Sequence, residues 1–233
     1  MGISTVAFNT ASFVSAWTLN EVSGNRADSF STNTLVDYNT VAATAGVINS
    51  AAAFIRANSE AFYINDNASL STGDIDFTWA GWVRLSSKPA GSPNQWVAAK
   101  GDSGTREWCL LYNGAADRWR FFISGDGSAA AAIVDADALG TVNVGQWYFV
   151  IAWHDATADF TNIQVDNLAV INSTATAGTA PADRAGLFML AAPGTGAMTE
   201  NLDGSIDEPL YVKRVLTAAE KTSLYNAGAG LTY

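Results

Sequence analysis

Two stretches of the chain are apolar on both sides of a period-2 pattern. In Gln146 to His154, Trp147, Phe149, Ile151 and Trp153 fall on one side of an extended chain, and Tyr148, Val150 and Ala152 fall on the other. Phe77-Thr-Trp-Ala-Gly-Trp-Val-Arg-Leu85 has the same character. A helix over 146–154 would be short and poorly capped, and the aromatic and β-branched content favours a strand. Strands of this kind must be covered on both faces. They therefore predict the central strands of a layered β structure, and two of them suit a sheet-on-sheet sandwich.

The remaining pattern fills in around these strands. A weak alternation from residue 5 closes with Ala16-Trp-Thr-Leu19 and predicts an edge strand, while residues 39–50 predict an irregular loop. Ala51–Ile55 and Glu60–Ile64 predict paired short strands around a hairpin-sized connection at 56–59. Gln95–Lys100, Glu107–Tyr112, Arg118–Ser124 and Ala130–Val134 follow one another across Gly- and Asn-containing turns, which predicts a meander. Phe160–Val165 is expected to pair with Leu168–Asn172 across Asp166-Asn167, with Gly186–Ala191 and Asn201–Val215 as the last strands.

After residue 215 the period changes. Thr217-Ala-Ala-Glu220 is a capping box, Leu216 and Leu224 supply apolar contacts and Gly228 marks a stop, predicting one helix of about 10 residues. The whole reads as an all-β, two-sheet antiparallel sandwich of jelly-roll type in a single domain over 1–233, with a short C-terminal helix. A barrel with a ligand-filled lumen is the competing architecture.

Composition narrows the partners. With 48% hydrophobic and 15% charged residues the chain can fill a core, and its net charge of −10 disfavours nucleic acid and anionic membranes. No apolar run reaches the length of a membrane span, and the first residues lack the pattern of a signal peptide. Cys109 is the sole cysteine and sits in an apolar run, so it is expected in the core.

Several motifs, taken in chain order, resemble one family. They are Ala16-Trp-Thr-Leu19 with Ser23-Gly24 and Asp28-Ser29; Phe77-Thr-Trp-Ala-Gly-Trp-Val83; Ala99-Lys-Gly-Asp102; Gly145-Gln-Trp-Tyr-Phe-Val150; Val165-Asp-Asn167; and Leu202-Asp-Gly-Ser-Ile-Asp-Glu208 through Leu216 to Gly228. The chain resembles the laminin-G-like domains of the concanavalin A-like lectin and glucanase superfamily. The resemblance implies a concanavalin A-like jelly roll, often with calcium at the rim, and binding or adhesion more often than catalysis. By resemblance, Asp28 and Asp207 are the positions for one structural Ca2+. A solvated turn and an Asp bonded to loop amides are the competing readings.

The glucanases of that superfamily make an enzyme the first possibility to test. Retaining chemistry needs two carboxylates on one face of a strand, and the alternating positions here are Ser205, Asp207 and Pro209. Glu208 faces away from Asp207 if the strand is regular, so the chain is expected not to be an enzyme. His154 and Asp155, as strand neighbours, also face opposite ways. Among aromatic candidates for stacking on sugars (Trp96, Trp108, Tyr112 and Trp119), Trp96 beside the proline-containing loop is expected to be the most exposed.

Two functions follow. One is a surface-displayed, extracellular, non-catalytic module that binds a glycan or cell-surface polysaccharide, such as a bacteriophage decoration or fibre protein on the virion surface. The other is a purely structural subunit that meets capsid or tail proteins, with no glycan ligand; either could act as a homo-oligomer.

Overall fold

The computed structural model describes residues 13–91, 93–102, 104–173, 180–195 and 200–231. The beginning of the first alternation, residues 5–12, lies outside them. Two antiparallel sheets stack on each other. One contains β1 (Phe13–Ala16), β3 (Ala42–Ala45), β4 (Ser50–Phe54), β6 (Phe77–Leu85), β11 (Trp147–Asp155), β12 (Phe160–Val165), β13 (Ile171–Asn172) and β15 (Gly204–Val212). The other contains β2 (Val36–Tyr38), β5 (Ala61–Ile64), β7 (Gln95–Lys100), β8 (Trp108–Asn113), β9 (Arg118–Ile123), β10 (Ala131–Asp135) and β14 (Phe188–Leu190).

The eight-stranded sheet runs β13-β12-β11-β6-β15-β4-β3, with β1 also on β15, and the seven-stranded sheet runs β10-β9-β8-β7-β14-β5-β2. This is the two-sheet jelly-roll sandwich expected from the pattern, and β7 to β10 form the expected meander. Two local expectations are corrected. β4 and β5 do not form a hairpin: β4 pairs with β3 and β15, whereas β5 pairs with β2 and β14 in the opposite sheet. The 3-10 turn Arg56–Asn58, closed by Ser59 at φ 55°, carries the chain from one layer to the other. Residues 39–50 are also not all loop, because Ala42–Ala45 pairs with β4.

The alternation of the two double-faced strands explains both layers of packing. Trp79, Val83 and Leu85 of β6 and Tyr148, Val150 and Ala152 of β11 point into the core between the sheets, against Trp108, Leu110 and Phe121. Trp108 packs against Phe77, Phe188 and Tyr211, with ring centroids 5.7, 5.9 and 6.1 Å away. The other faces of β6 and β11 carry Ala80, Trp82, Phe149, Ile151 and Trp153, which join Leu210, Val212, Leu216 and Leu224 in a second buried cluster. The cover is α1 (Ala218–Tyr225), whose capping box is formed by Thr217 and Glu220. Tyr225 stacks on Trp82 at 5.8 Å, and the Lys221 ammonium lies 3.7 Å above the Trp153 ring. Each large apolar side chain buried this way contributes about 1.5–3 kcal/mol.

Candidate functional site

The possibility of glucanase chemistry turns on β15. Its register slips between Asp207 and Leu210, and Glu208 adopts φ 46° in the resulting bulge. The strand is therefore not regular at Glu208, so the condition on which Glu208 was expected to face away from Asp207 is not met. Burial and then the neighbouring Asp207 charge push the Glu208 carboxyl up to about 8, and burial pushes Asp207 up to about 6. Both residues are sealed, at 0% and 1% exposure. The turn over Asp207 donates two main-chain N–H groups to Oδ2, from Val47 at 2.7 Å and Ile48 at 2.9 Å. Gly46 is required there, since a Cβ would come within 2.5 Å of that oxygen. Buried in this way, neither acid is open to a polymer.

Asp28 plays a different part. Its Oδ1 accepts from the N–H groups of Ala16 (3.2 Å) and Phe30 (2.9 Å), and its Oδ2 from Ser31 Oγ (2.6 Å) and Asn33 N–H (3.2 Å). Burial alone would raise this carboxyl, but the bonds from Ser31 and Phe30 outweigh it and hold the group below its usual range. Calcium wants six to eight oxygens with free lone pairs. Four donors already point at Asp28, Asp207 answers to a separate turn, and no three His, Cys, Asp or Glu side chains converge among the described residues. The residues present do not fit the calcium ion that the resemblance implies.

Trp96, expected at the surface, is 4% exposed. It packs with Ala99, Cys109, Leu111 and Phe122 on the outer side of the seven-stranded sheet, under the Arg106 guanidinium 5.0 Å from its ring. Its Nε1 donates to Glu200 at 3.0 Å, so a segment more than a hundred residues along the chain supplies the cover. Trp108 and Trp119 lie fully in the core, with Tyr112 at 3%. Cys109 is buried, and that burial pushes its thiol well up, away from nucleophilic chemistry. His154 is buried as well, with Nε2 3.5 Å from Asp74.

An open feature lies at the rim. A depression of about 560 Å³ is lined by Thr32, Asn33, Thr34, Asn65, Asp66, Asn67 and Ser69, with Val36 and Ile64 as its apolar part. Asn33 fixes its two loops to each other: its Nδ2 donates to Ser15 Oγ (2.8 Å) and Ser69 Oγ (3.0 Å), and its Oδ1 accepts from Asn67 Nδ2 (3.2 Å). Asp66 is held 2.7 Å from the buried Lys100 ammonium, which offsets its charge. Thr32, Thr34 and Asn65 stay exposed on this scaffold. The site thus offers amide, hydroxyl and carboxylate groups in fixed positions, the donor and acceptor set that sugar hydroxyls match. By its pattern this segment reads only as loop, although Asn65-Asp-Asn-Ala-Ser69 concentrates such groups in five residues.

The laminin G-like profile of the concanavalin A-like lectin/glucanases superfamily matches residues 56–220. The chain belongs to this family. Among solved structures, this laminin G-like chain is similar to the binding domain of paraclostridial mosquitocidal protein 1, with TM-score 0.74 and 11% identity over 94% of this chain and 53% of that one. The botulinum neurotoxin serotype G binding domain gives TM-score 0.69 and 12% identity over 93% and 51%. Trypanosoma rangeli sialidase gives 0.67 and 14% over 96% and 34%. The chain thus spans about half of each toxin domain and a third of the sialidase, and at these identities the likeness is one of fold. No curated protein sequence matches the chain.

Proposed function

We propose that this laminin G-like chain is a non-catalytic glycan-binding module, acting outside the cell or on a virion surface, where glycans are displayed. The observation that carries this reading is the rim depression, with its pre-fixed amides and hydroxyls over a small apolar floor. The sealing of Asp207 and Glu208 supports the non-catalytic half, because glycoside hydrolysis needs its acid pair against the substrate. The lectin fold of the family and the likeness to toxin binding domains point the same way.

A glycan array probed with the purified protein, in calcium and in EDTA, tests the reading. Binding to one glycan class is expected in both buffers, and Asn65→Ala or Thr34→Ala should weaken it by about two- to tenfold, the worth of one neutral hydrogen bond. Absence of binding in both buffers would sink the proposal and leave the assembly-subunit reading, in which the chain contacts capsid or tail proteins.

A further inference from the structure

We infer that the outer face of the eight-stranded sheet carries a second binding site, at Arg84, Trp147 and Ser205, for the carboxylate of an acidic sugar. The sheet register sets Trp147 beside Arg84, Arg84 beside Ser205, Ser205 beside Ala53 and Ala53 beside Ala42, in one row across five strands. The row lies on the outer face, since its neighbours Tyr148, Val83, Ile206 and Ala52 point into the core. The next row, Phe149 and Trp82, is roofed by Tyr225. At the row of Trp147 the roof is incomplete: Trp147, Arg84 and Ala53 are half-buried and Ala42 is exposed, with Ser205 buried between Arg84 and Ala53.

Arg84 is held there from both sides. Its guanidinium carbon stands 4.7 Å from the centre of the Trp147 ring, and its Nη2 donates to Ser205 Oγ at 3.1 Å. The ring contact and the serine bond together hold the group in place. Among the described residues no carboxylate stands within ion-pair distance of it, in a chain with 22 acidic against 12 basic side chains. A guanidinium has five N–H donors in a rigid fork that matches a carboxylate, and holding it in place beforehand lowers the entropy lost on binding. Beyond Ser205 the row continues with the small side chains of Ala53 and Ala42. The sugar half of the inference rests on the glycan-binding reading; the anion half rests on Arg84 alone.

Titration calorimetry with an oligoglucuronate, a neutral oligosaccharide of equal length and a sulfated one tests it. The oligoglucuronate is expected to bind, and Arg84→Gln should weaken it about ten- to a hundredfold, as loss of a charge-assisted pair predicts. Arg84→Lys keeps the charge without the fork and should recover only part, while Lys88→Gln, removing a surface cation elsewhere, should change nothing. Arg84-dependent binding of the sulfated oligomer instead would support the anion site with sulfate as its source. Equal binding by wild type and Arg84→Gln, or no binding of either acidic oligomer, would overturn the site. Neutral binding that survives Arg84→Gln would do so while leaving the rim reading intact.

Discussion

Two buried acid sites in this sandwich live under opposite conditions. Glu107 and Lys100 are both fully buried and lie 3.0 Å apart. Glu107 also accepts from Thr72 N–H and Oγ at 2.7 and 2.6 Å and from Arg184 N–H at 3.1 Å, and Lys100 reaches Asp66 and the Gly186 carbonyl at 2.7 Å each. Asp207 has instead another acid beside it and two amides on one oxygen, and its Oδ1 has no hydrogen-bond partner among the described residues. Burial is equal in the two places. What differs is the sign of the neighbour and the number of donors, and these decide whether the buried charge is held or resisted.

The largest test breaks the compensated site. Lys100→Met leaves Glu107 and Asp66 without their cation and should cost about 3–5 kcal/mol in urea unfolding. Adding Glu107→Leu should recover part of that loss, since a missing pair costs less than half of one. An unchanged midpoint for the single variant would show the ion pair to be incidental.

The second test relieves the other site. Asp207 and Glu208 have folded-state values above their ordinary ones, so their contribution is fully present below about pH 4 and is lost as pH rises through about 6 and about 8. Glu208→Gln should therefore match wild type near pH 4 and exceed it near pH 8.5 by on the order of 1–3 kcal/mol. Parallel stability curves for the two proteins across that range would show that Glu208 carries no such penalty. The smallest test concerns Asp28, whose acceptors serve a turn: Asp28→Ala should cost about 1–2 kcal/mol, whereas EDTA should leave the wild-type Tm in place. A Tm that falls in EDTA would restore Asp28 as a metal ligand.

Features that the chain carries locally are legible in its sequence. The double-faced strands 77–85 and 147–155, the meander and the Thr217–Glu220 cap each announce themselves within ten residues or so. β3 is not legible, because Ala-Ala-Thr-Ala has neither bulk nor alternation. Nor is the layer change at 56–58, because spacing alone cannot tell a hairpin from a crossing between sheets. The bulge at Glu208 has a sequence signal in Pro209, a residue that central strands accept only at irregular positions. The exposure of the tryptophans has none, since Glu200 covers Trp96 and the end of α1 decides how far along β11 the roof extends.

The position of β15 has a consequence for how the chain is made. This strand, the last among the described residues, lies between β6 and β4 and also carries β1, so three earlier strands wait for residues 204–212. On the ribosome, the edges of β6 and β4 that face β15 stay unpaired until residues 204–212 emerge, and the helix that roofs β6 and β11 follows them. Such late, distant pairing slows folding and lengthens exposure to aggregation. Synthesis rate and chaperone supply, more than the stability of the finished sandwich, should then set how much protein a cell recovers.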